Sequence, residues 1–188
     1  MREKFILWKV LNELKMYGLK PFVWVYLKLK GVNIGPGAKS YGMPRILKFR
    51  DSQIKIGARF ENRNWWDSNP LGINHPTIIC TWARGAKITI GRDVGISGGS
   101  LVATKSITIG DGTLIGANSL IIDSDFHPLK SRKRRYAKKG VRSAPIKIGK
   151  NVFIGTNCTI LKGAVIPNNA IVPAGAVVRR QRQNRLSK

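Results

Sequence analysis

Residues 148–178, IGKNVFIGTNCTILKGAVIPNNAIVPAGAVV, repeat every six positions. Ile148, Ile154, Ile160, Ile166, Val172 and Val178 hold one position of successive steps, and Val152, Cys158, Ala164, Ala170 and Ala176 follow four residues after the first five. A helix cannot use a period of six, because 3.6 residues per turn spreads those positions around its surface. Short strands joined by tight turns can, and a fixed short period is the mark of a solenoid. One aliphatic and one small side chain per step fill a narrow interior, and the glycine after the aliphatic residue eases the corner. Three steps, about eighteen residues, close one triangular coil, and stacked coils satisfy one another's backbone.

The same beat runs upstream. Ile90, Ile96 and Val102 form one set of steps, and Ile109, Ile115 and Ile121 form another. A tetrapeptide marks the start of each coil: Val32–Gly35, Ile54–Gly57, Ile88–Gly91, Ile107–Gly110 and Ile146–Gly149. The pattern predicts an all-β solenoid over 32–178. Cys158 stands at a small-residue position and reads as core. Residues 58–87 fit poorly, and Asn64, Trp65, Trp66, Asp67, then Asn74, His75 and Pro76, suggest a widened coil with loops. Trp65, Trp66 and Trp82 suit either stacking on a sugar ring or covering a broken coil. His75 is a candidate substrate contact.

The regularity stops after Ile121-Ile122, at Asp123-Ser124-Asp125-Phe126-His127-Pro128. Continued at six, the beat puts His127 in an aliphatic slot and Asp125 in a small-residue slot. Unpaired polar groups are costly inside a core, so the chain either departs from the helix here or breaks the rule for function. An imidazole is the natural base for a hydroxyl acceptor, since its ordinary pKa lies near neutral pH. Asp123, Asp125 or a main-chain carbonyl would fix its tautomer, as the carboxylate does in a Ser-His-Asp arrangement. The residues leave that choice open.

The 188 residues carry 34 Lys+Arg against 9 Asp+Glu, a net charge of +25. Such a surface attracts polyanions: nucleic acid, an anionic membrane or a phosphorylated small molecule. Much of the charge sits in a basic insertion at 129–145, with Arg132, Lys133, Arg134, Arg135, Lys138, Lys139 and Arg142. No zinc spacing, helix-turn-helix pattern or RNA-binding aromatic motif accompanies it, so no nucleic-acid partner is predicted. His75 and His127 are the only histidines, which argues against a three-histidine zinc centre, and no metal is predicted. Two cysteines, Cys80 and Cys158, make no disulfide framework and point to a reducing, cytoplasmic setting.

Residues 1–31 read as an amphipathic helical segment. Ile6, Leu7, Val10, Leu11 and Leu14 share one face, Gly18 breaks the pattern, and Pro21 starts a second short helix. Its apolar face either packs on the domain or, with Trp24, Tyr26, Lys28 and Lys30, rests on a membrane surface. The longest apolar run there, Phe22–Leu27, is far short of the roughly 20 residues a span needs, and no secretory cleavage site follows it.

The [Ile/Val]-Gly-x-x-[small]-x steps resemble the hexapeptide-repeat acyltransferases, and Leu114–Asn118 with Asp123–Pro128 resemble the sugar O-acetyltransferases of bacterial polysaccharide and lipopolysaccharide synthesis. Galactoside, maltose and xenobiotic acetyltransferases are more distant in resemblance. The likeness implies a left-handed parallel β-helix, a homotrimer with its cleft between neighbouring chains, acetyl-CoA as acyl donor, and a carbohydrate or lipid-linked saccharide acceptor. It implies that His127 takes the acceptor proton for direct attack on the thioester. It places Thr156 and Ala174 beside the pantetheine arm, Arg179 and Arg180 near the CoA phosphates, and Ser97 where a substrate-binding residue stands. The family commonly continues into a proline-containing segment; here a basic tail, 179–188, occupies that place. Peripheral contact with the inner face of the plasma membrane accompanies this reading, and N-acylation of an amino sugar and a non-catalytic solenoid that binds polyanions or membrane are the competing expectations.

Overall fold

The computed structural model describes residues 2–137 and 139–180, with side chains from Leu7 onward. The body is a three-sided prism of six coils, each contributing one strand to each of three six-stranded parallel sheets. The first coil holds Asn33–Ile34, Lys39–Tyr41 and Arg45–Lys48; the second holds Gln53–Ile56, Glu61–Arg63 and Ile78–Thr81. The third holds Lys87–Ile90, Gly95–Ser97 and Ser100–Ala103, and the fourth Ser106–Ile109, Leu114–Ile115 and Leu120–Ile122. Ile146–Ile148, Phe153–Ile154 and Thr159–Leu161 form the fifth; Val165–Ile166, Ile171–Val172 and Val177–Val178 form the sixth. This is a left-handed parallel β-helix. Long parallel crossovers are right-handed because strand twist feeds into the connection. Strands of two to four residues accumulate little twist, so the rule has little hold here.

Register explains the sequence period. Ile56, Ile90, Ile109, Ile148 and Ile166 pair in sequence along the first face. Ile96, Ile115, Ile154 and Val172 do so along the second, and Ile46, Ile79, Leu101, Ile121, Ile160 and Val178 along the third. Most of these side chains are fully buried, and each contributes about 2 kcal/mol relative to leaving it in water. The third-face member of the third coil is Leu101, not Val102: the step from Ile96 is five residues, because Gly98 and Gly99 make a shorter corner. Cys158 is buried as expected.

The corners between first and second faces share one conformation. Gly37, Arg59, Asp93, Gly112, Asn151 and Asn169 occupy the third place of that corner with φ between +52° and +74°. Only glycine, and less readily Asn or Asp, adopts this left-handed region cheaply, which explains the recurrent Asn, Asp and Gly there. The glycine opening the corner is fixed by contact: a Cβ on Gly110 would lie 2.5 Å from the Gly149 carbonyl of the next coil.

The N-terminal segment differs from the expectation. A single helix, α1 (Arg2–Leu29), runs through Gly18 and Pro21. Met16, Val23 and Leu27 are buried against the first coil, Tyr26 Oη accepts from Ile46 N at 3.1 Å, and the Trp8 indole donates to Asp67 O at 2.8 Å. Burial raises the Tyr41 phenol above its ordinary pKa, and its hydrogen bond to Glu13 on the helix adds to that. Leu7, Val10, Leu11 and Leu14, the stripe read from the sequence, face outward; the side chain of Ile6 lies outside the described part. The helix caps the prism with its opposite face.

Candidate active site

The widened second coil is real. Residues 64–77 leave the corner between second and third faces as a loop, pinned by Asn69 Nδ2 donating to Ser97 Oγ at 3.0 Å and Asn74 N donating to Asn118 Oδ1 at 2.8 Å. Trp65 is half-buried under Lys15, whose Nζ lies 5.8 Å from the ring centroid, whereas Trp66 is 77% exposed. The partly buried His75 has Nδ1 2.8 Å from Pro76 O. Ser97, Thr156 and Ala174 stand on the same edge. The Thr156 hydroxyl donates to Ala117 O of the coil before it at 2.8 Å, so it ties two coils together, while Ala174 is exposed one coil further on.

The edge between third and first faces carries the other candidates. After Ile122 the chain leaves the prism and returns at Ile146. The small and aliphatic slots that a beat of six assigns to Asp125 and His127 are filled by Ile146 and Ile148, which pair with Ile107 and Ile109 of the preceding coil. Asp125 and His127 therefore stand outside the core. The two ends of the insertion are held as a stem: Asp125 N donates to Arg142 O at 3.0 Å, Ala144 N to Asp123 O at 2.9 Å, and Ser124 bridges Ser143.

The three polar residues have separate tasks. Asp123 is fully buried, and its carboxylate accepts from Thr104 N at 2.7 Å, Thr104 Oγ1 at 2.9 Å and Lys105 N at 2.7 Å. That satisfies the corner of the preceding coil and directs Asp123 away from the histidine. Asp125 is paired with Lys162 of the fifth coil. Its Oδ2 is buried without a partner. Phe126 takes φ +57°, and His127 N donates back to Asp125 O at 2.7 Å across it, a tight turn that presents the ring outward. Of the three supports left open by the residues, the main-chain carbonyl is the one that meets the imidazole: His127 Nδ1 lies 3.3 Å from Arg134 O. A carbonyl offers only lone pairs, so this contact requires the proton on Nδ1 and leaves Nε2 free to accept one.

Around His127, Trp82 is 57% exposed and meets Phe126 edge-to-face at 6.2 Å. Exposed Arg132, Lys133, Arg134 and Arg135 follow in the insertion, whose Lys138 lies outside the described residues. The Arg180 side chain reaches the same edge beside Gly163, and Arg179 is exposed next to it; the tail at 181–188 lies outside the described residues. Arg134 O and Lys162 carry no signal in the sequence, since both reach the histidine turn only through the path of the insertion. No group of His, Cys, Asp and Glu that could hold a metal occurs among the described residues.

The expected site residues thus divide between two edges. Trp65, Trp66, His75, Ser97, Thr156 and Ala174 lie on one; Asp123, Asp125, His127, Arg179 and Arg180 lie on the other. The third face separates them. From Ala117 to Asp123 is six residues, roughly 20 Å at 3.3 Å per residue.

Known proteins share this repeat. The family described as bacterial transferase hexapeptide (six repeats) matches residues 145–180, and the hexapeptide repeat of succinyl-transferase matches residues 106–122. A galactoside O-acetyltransferase from Escherichia coli is 28% identical over 140 residues, 74% of this chain; the chain spans 63% of that relative's length. A mutant of AntD, an N-acyltransferase from Bacillus cereus solved with dTDP and coenzyme A, superposes with a TM-score of 0.52 at 16% identity, covering 84% of this chain and 87% of that one, and so shares the fold. The polySia-specific acetyltransferase NeuO covers 78% of this chain and 70% of its own at 17% identity, with a TM-score of 0.30 that is too low to bear on the fold. In its repeats and its three-sided helix, the chain is similar to the hexapeptide-repeat acyltransferases.

Proposed function

We propose that the protein transfers an acetyl group from acetyl-CoA to a sugar hydroxyl in the synthesis of a bacterial surface polysaccharide or lipopolysaccharide. The observation that carries this reading is the outward-facing His127 ring, with Nδ1 engaged by Arg134 O and Nε2 unencumbered. Nε2 takes the acceptor hydroxyl proton as the oxygen attacks the thioester carbonyl. The C–S bond then breaks, and the imidazolium returns the proton to the leaving thiolate, so no covalent enzyme intermediate is needed. The Asp125–Lys162 pair holds the turn, and Trp82 beside Phe126 offers a flat apolar face for a pyranose ring.

The division of candidates between two edges supports a site assembled from two chains. One chain presents His127, and its neighbour presents Thr156 and Ala174 for the pantetheine arm, as in a homotrimer. The cations Arg179 and Arg180 suit CoA phosphates. The E. coli galactoside acetyltransferase, alike over most of this chain, supports a sugar hydroxyl as acceptor.

The test is CoA release from acetyl-CoA over a panel of nucleotide, lipid-linked and amino sugars, with products weighed by mass spectrometry. An added acetyl on a sugar oxygen is the expected result. An added acetyl only on amino groups makes the enzyme an N-acyltransferase, and no acceptor-dependent CoA release across the panel makes it a non-catalytic solenoid.

A further inference from the structure

The outward face of α1 has no partner among the described residues. Leu7, Leu11, Leu14, Phe22, Val25 and Leu29 are each between 46% and 82% exposed. Their spacing puts them in one stripe about 80° wide and about 33 Å long, at 3.6 residues and 5.4 Å per turn. Gly18 lies in the middle of this stripe, with nothing within 4 Å of the place a Cβ would take. A helix that only caps a core has its polar residues on this side. Here both faces are apolar, and the inward one is already occupied.

We propose that this stripe lies on the surface of a bilayer containing anionic lipids. Three observations select that occupant. The borders are those of an interfacial helix: Lys15 flanks one side, and Tyr17, Trp24 and Lys28 flank the other, with Lys28 Nζ 5.3 Å from the Trp24 ring centroid. Aromatic rings and lysine stems bridge apolar and wet layers in this way. The charge suits a lipid headgroup, because a chain of net charge +25 is drawn to an anionic surface. Behind the same helix, a cavity of about 690 Å³ opens between Pro21, Val23 and Leu27 and the first two coils at Ile34, Ile46 and Phe60. Lys20, Lys28 and Lys39 also line it, so it repeats the pairing of apolar surface with cationic groups. No helix among the described residues is long and apolar enough to cross a membrane, so the helix lies in the interface rather than spanning it. This inference does not depend on the catalytic reading.

The experiment is co-sedimentation of the full chain with vesicles of neutral phosphatidylcholine, or of the same lipid with a third phosphatidylglycerol, at moderate salt. The comparison variant is Leu14→Glu/Phe22→Glu/Leu29→Glu, whose three positions are outward and exposed. Binding to the anionic vesicles is expected to exceed binding to neutral ones and to fall about tenfold or more in the variant, since interfacial affinity scales with buried apolar area. Unfolding temperature is expected to be unchanged. Equal binding of variant and parent overturns the proposal, because charge alone would then hold the protein. Absent binding to either vesicle also overturns it. A smaller particle mass for the variant by light scattering, with vesicle binding unchanged, identifies the stripe as a contact between copies and overturns it as well.

Discussion

Two edges of the same prism have been put to different uses. Between first and second faces every corner is four residues long, and Arg59–Asp93, Arg92–Asp111 and Lys150–Asp111 link successive coils along it. Between third and first faces no such regularity holds: the third coil turns through Thr104 and Lys105, the fifth through Lys162–Ala164, and the fourth leaves for the whole of 123–145. On the first edge the polar groups serve the stacking. On the second, the departure brings a histidine, a lysine–aspartate pair and an exposed tryptophan together outside the core. In a repeat fold, side chains are freed for other tasks where the coil is interrupted, since an unbroken corner leaves each position committed to its neighbours above and below.

The largest expected effect is at the interrupted edge. His127→Ala removes the proposed proton acceptor, for an expected loss of roughly 10²- to 10⁴-fold in turnover. The ring is exposed and outside the core, so thermal unfolding is expected to stay with that of the parent. Near-parental turnover by the folded variant rules out His127 as the base. The regular edge predicts the reverse. Gly110→Ala drives a Cβ to 2.5 Å from the Gly149 carbonyl, a backbone atom that cannot step aside, and is expected to cost about 3 kcal/mol. Denaturant unfolding measures it, and a loss below about 1 kcal/mol would mean that the coils slide apart more easily than the stacking implies.

Legibility in the sequence follows the same division. The period of six, read from Ile148 to Val178, specifies the solenoid, because each slot is set by contacts that recur from coil to coil. Extending the beat arithmetically failed twice. It chose Val102 over Leu101, because a corner can lose a residue without changing composition. It also put Asp125 and His127 in core slots that Ile146 and Ile148 fill, because an insertion hides the resumption of the register. The position of His127 at the break was legible in the sequence. Its neighbour was not: Arg134 meets the ring through a main-chain carbonyl that every residue possesses. The N-terminal stripe was visible as a stripe, but which side of the helix meets the first coil is a tertiary fact. Trp8 donating to Asp67 O and Met16 buried at 0% turn α1 the other way.

Asp123 belongs to the interrupted edge by sequence and to the regular edge by behaviour. Its carboxylate satisfies two backbone N–H groups and a hydroxyl of the preceding coil, and Asp123→Ala strands them in a buried place. The expected cost is about 2 kcal/mol, the scale for buried donors left unpaired. Earlier amide exchange is expected at Asp125 and Ala144, whose N–H groups close the stem. A change in turnover with stability and exchange untouched would instead place Asp123 in the chemistry.

The smallest effect separates the edges by pH. Hydrogen bonds from the Arg92 backbone N–H and then its guanidinium, with Lys150 nearby, hold the Asp111 carboxyl below its ordinary 3.8. A carboxyl lowered on folding stabilises the native state fully above its unfolded pKa and stops doing so as pH falls through the folded one. Asp111→Asn removes that contribution. Parent and variant are therefore expected to differ slightly in unfolding midpoint near neutral pH and to converge below the ordinary carboxyl value of 3.8. The group is exposed, so added salt shrinks the difference. A gap that persists unchanged at the lowest pH would mean that Asp111 supports the corner by shape rather than by charge. The ion pairs of the regular edge would then be a consequence of stacking and not one of its causes.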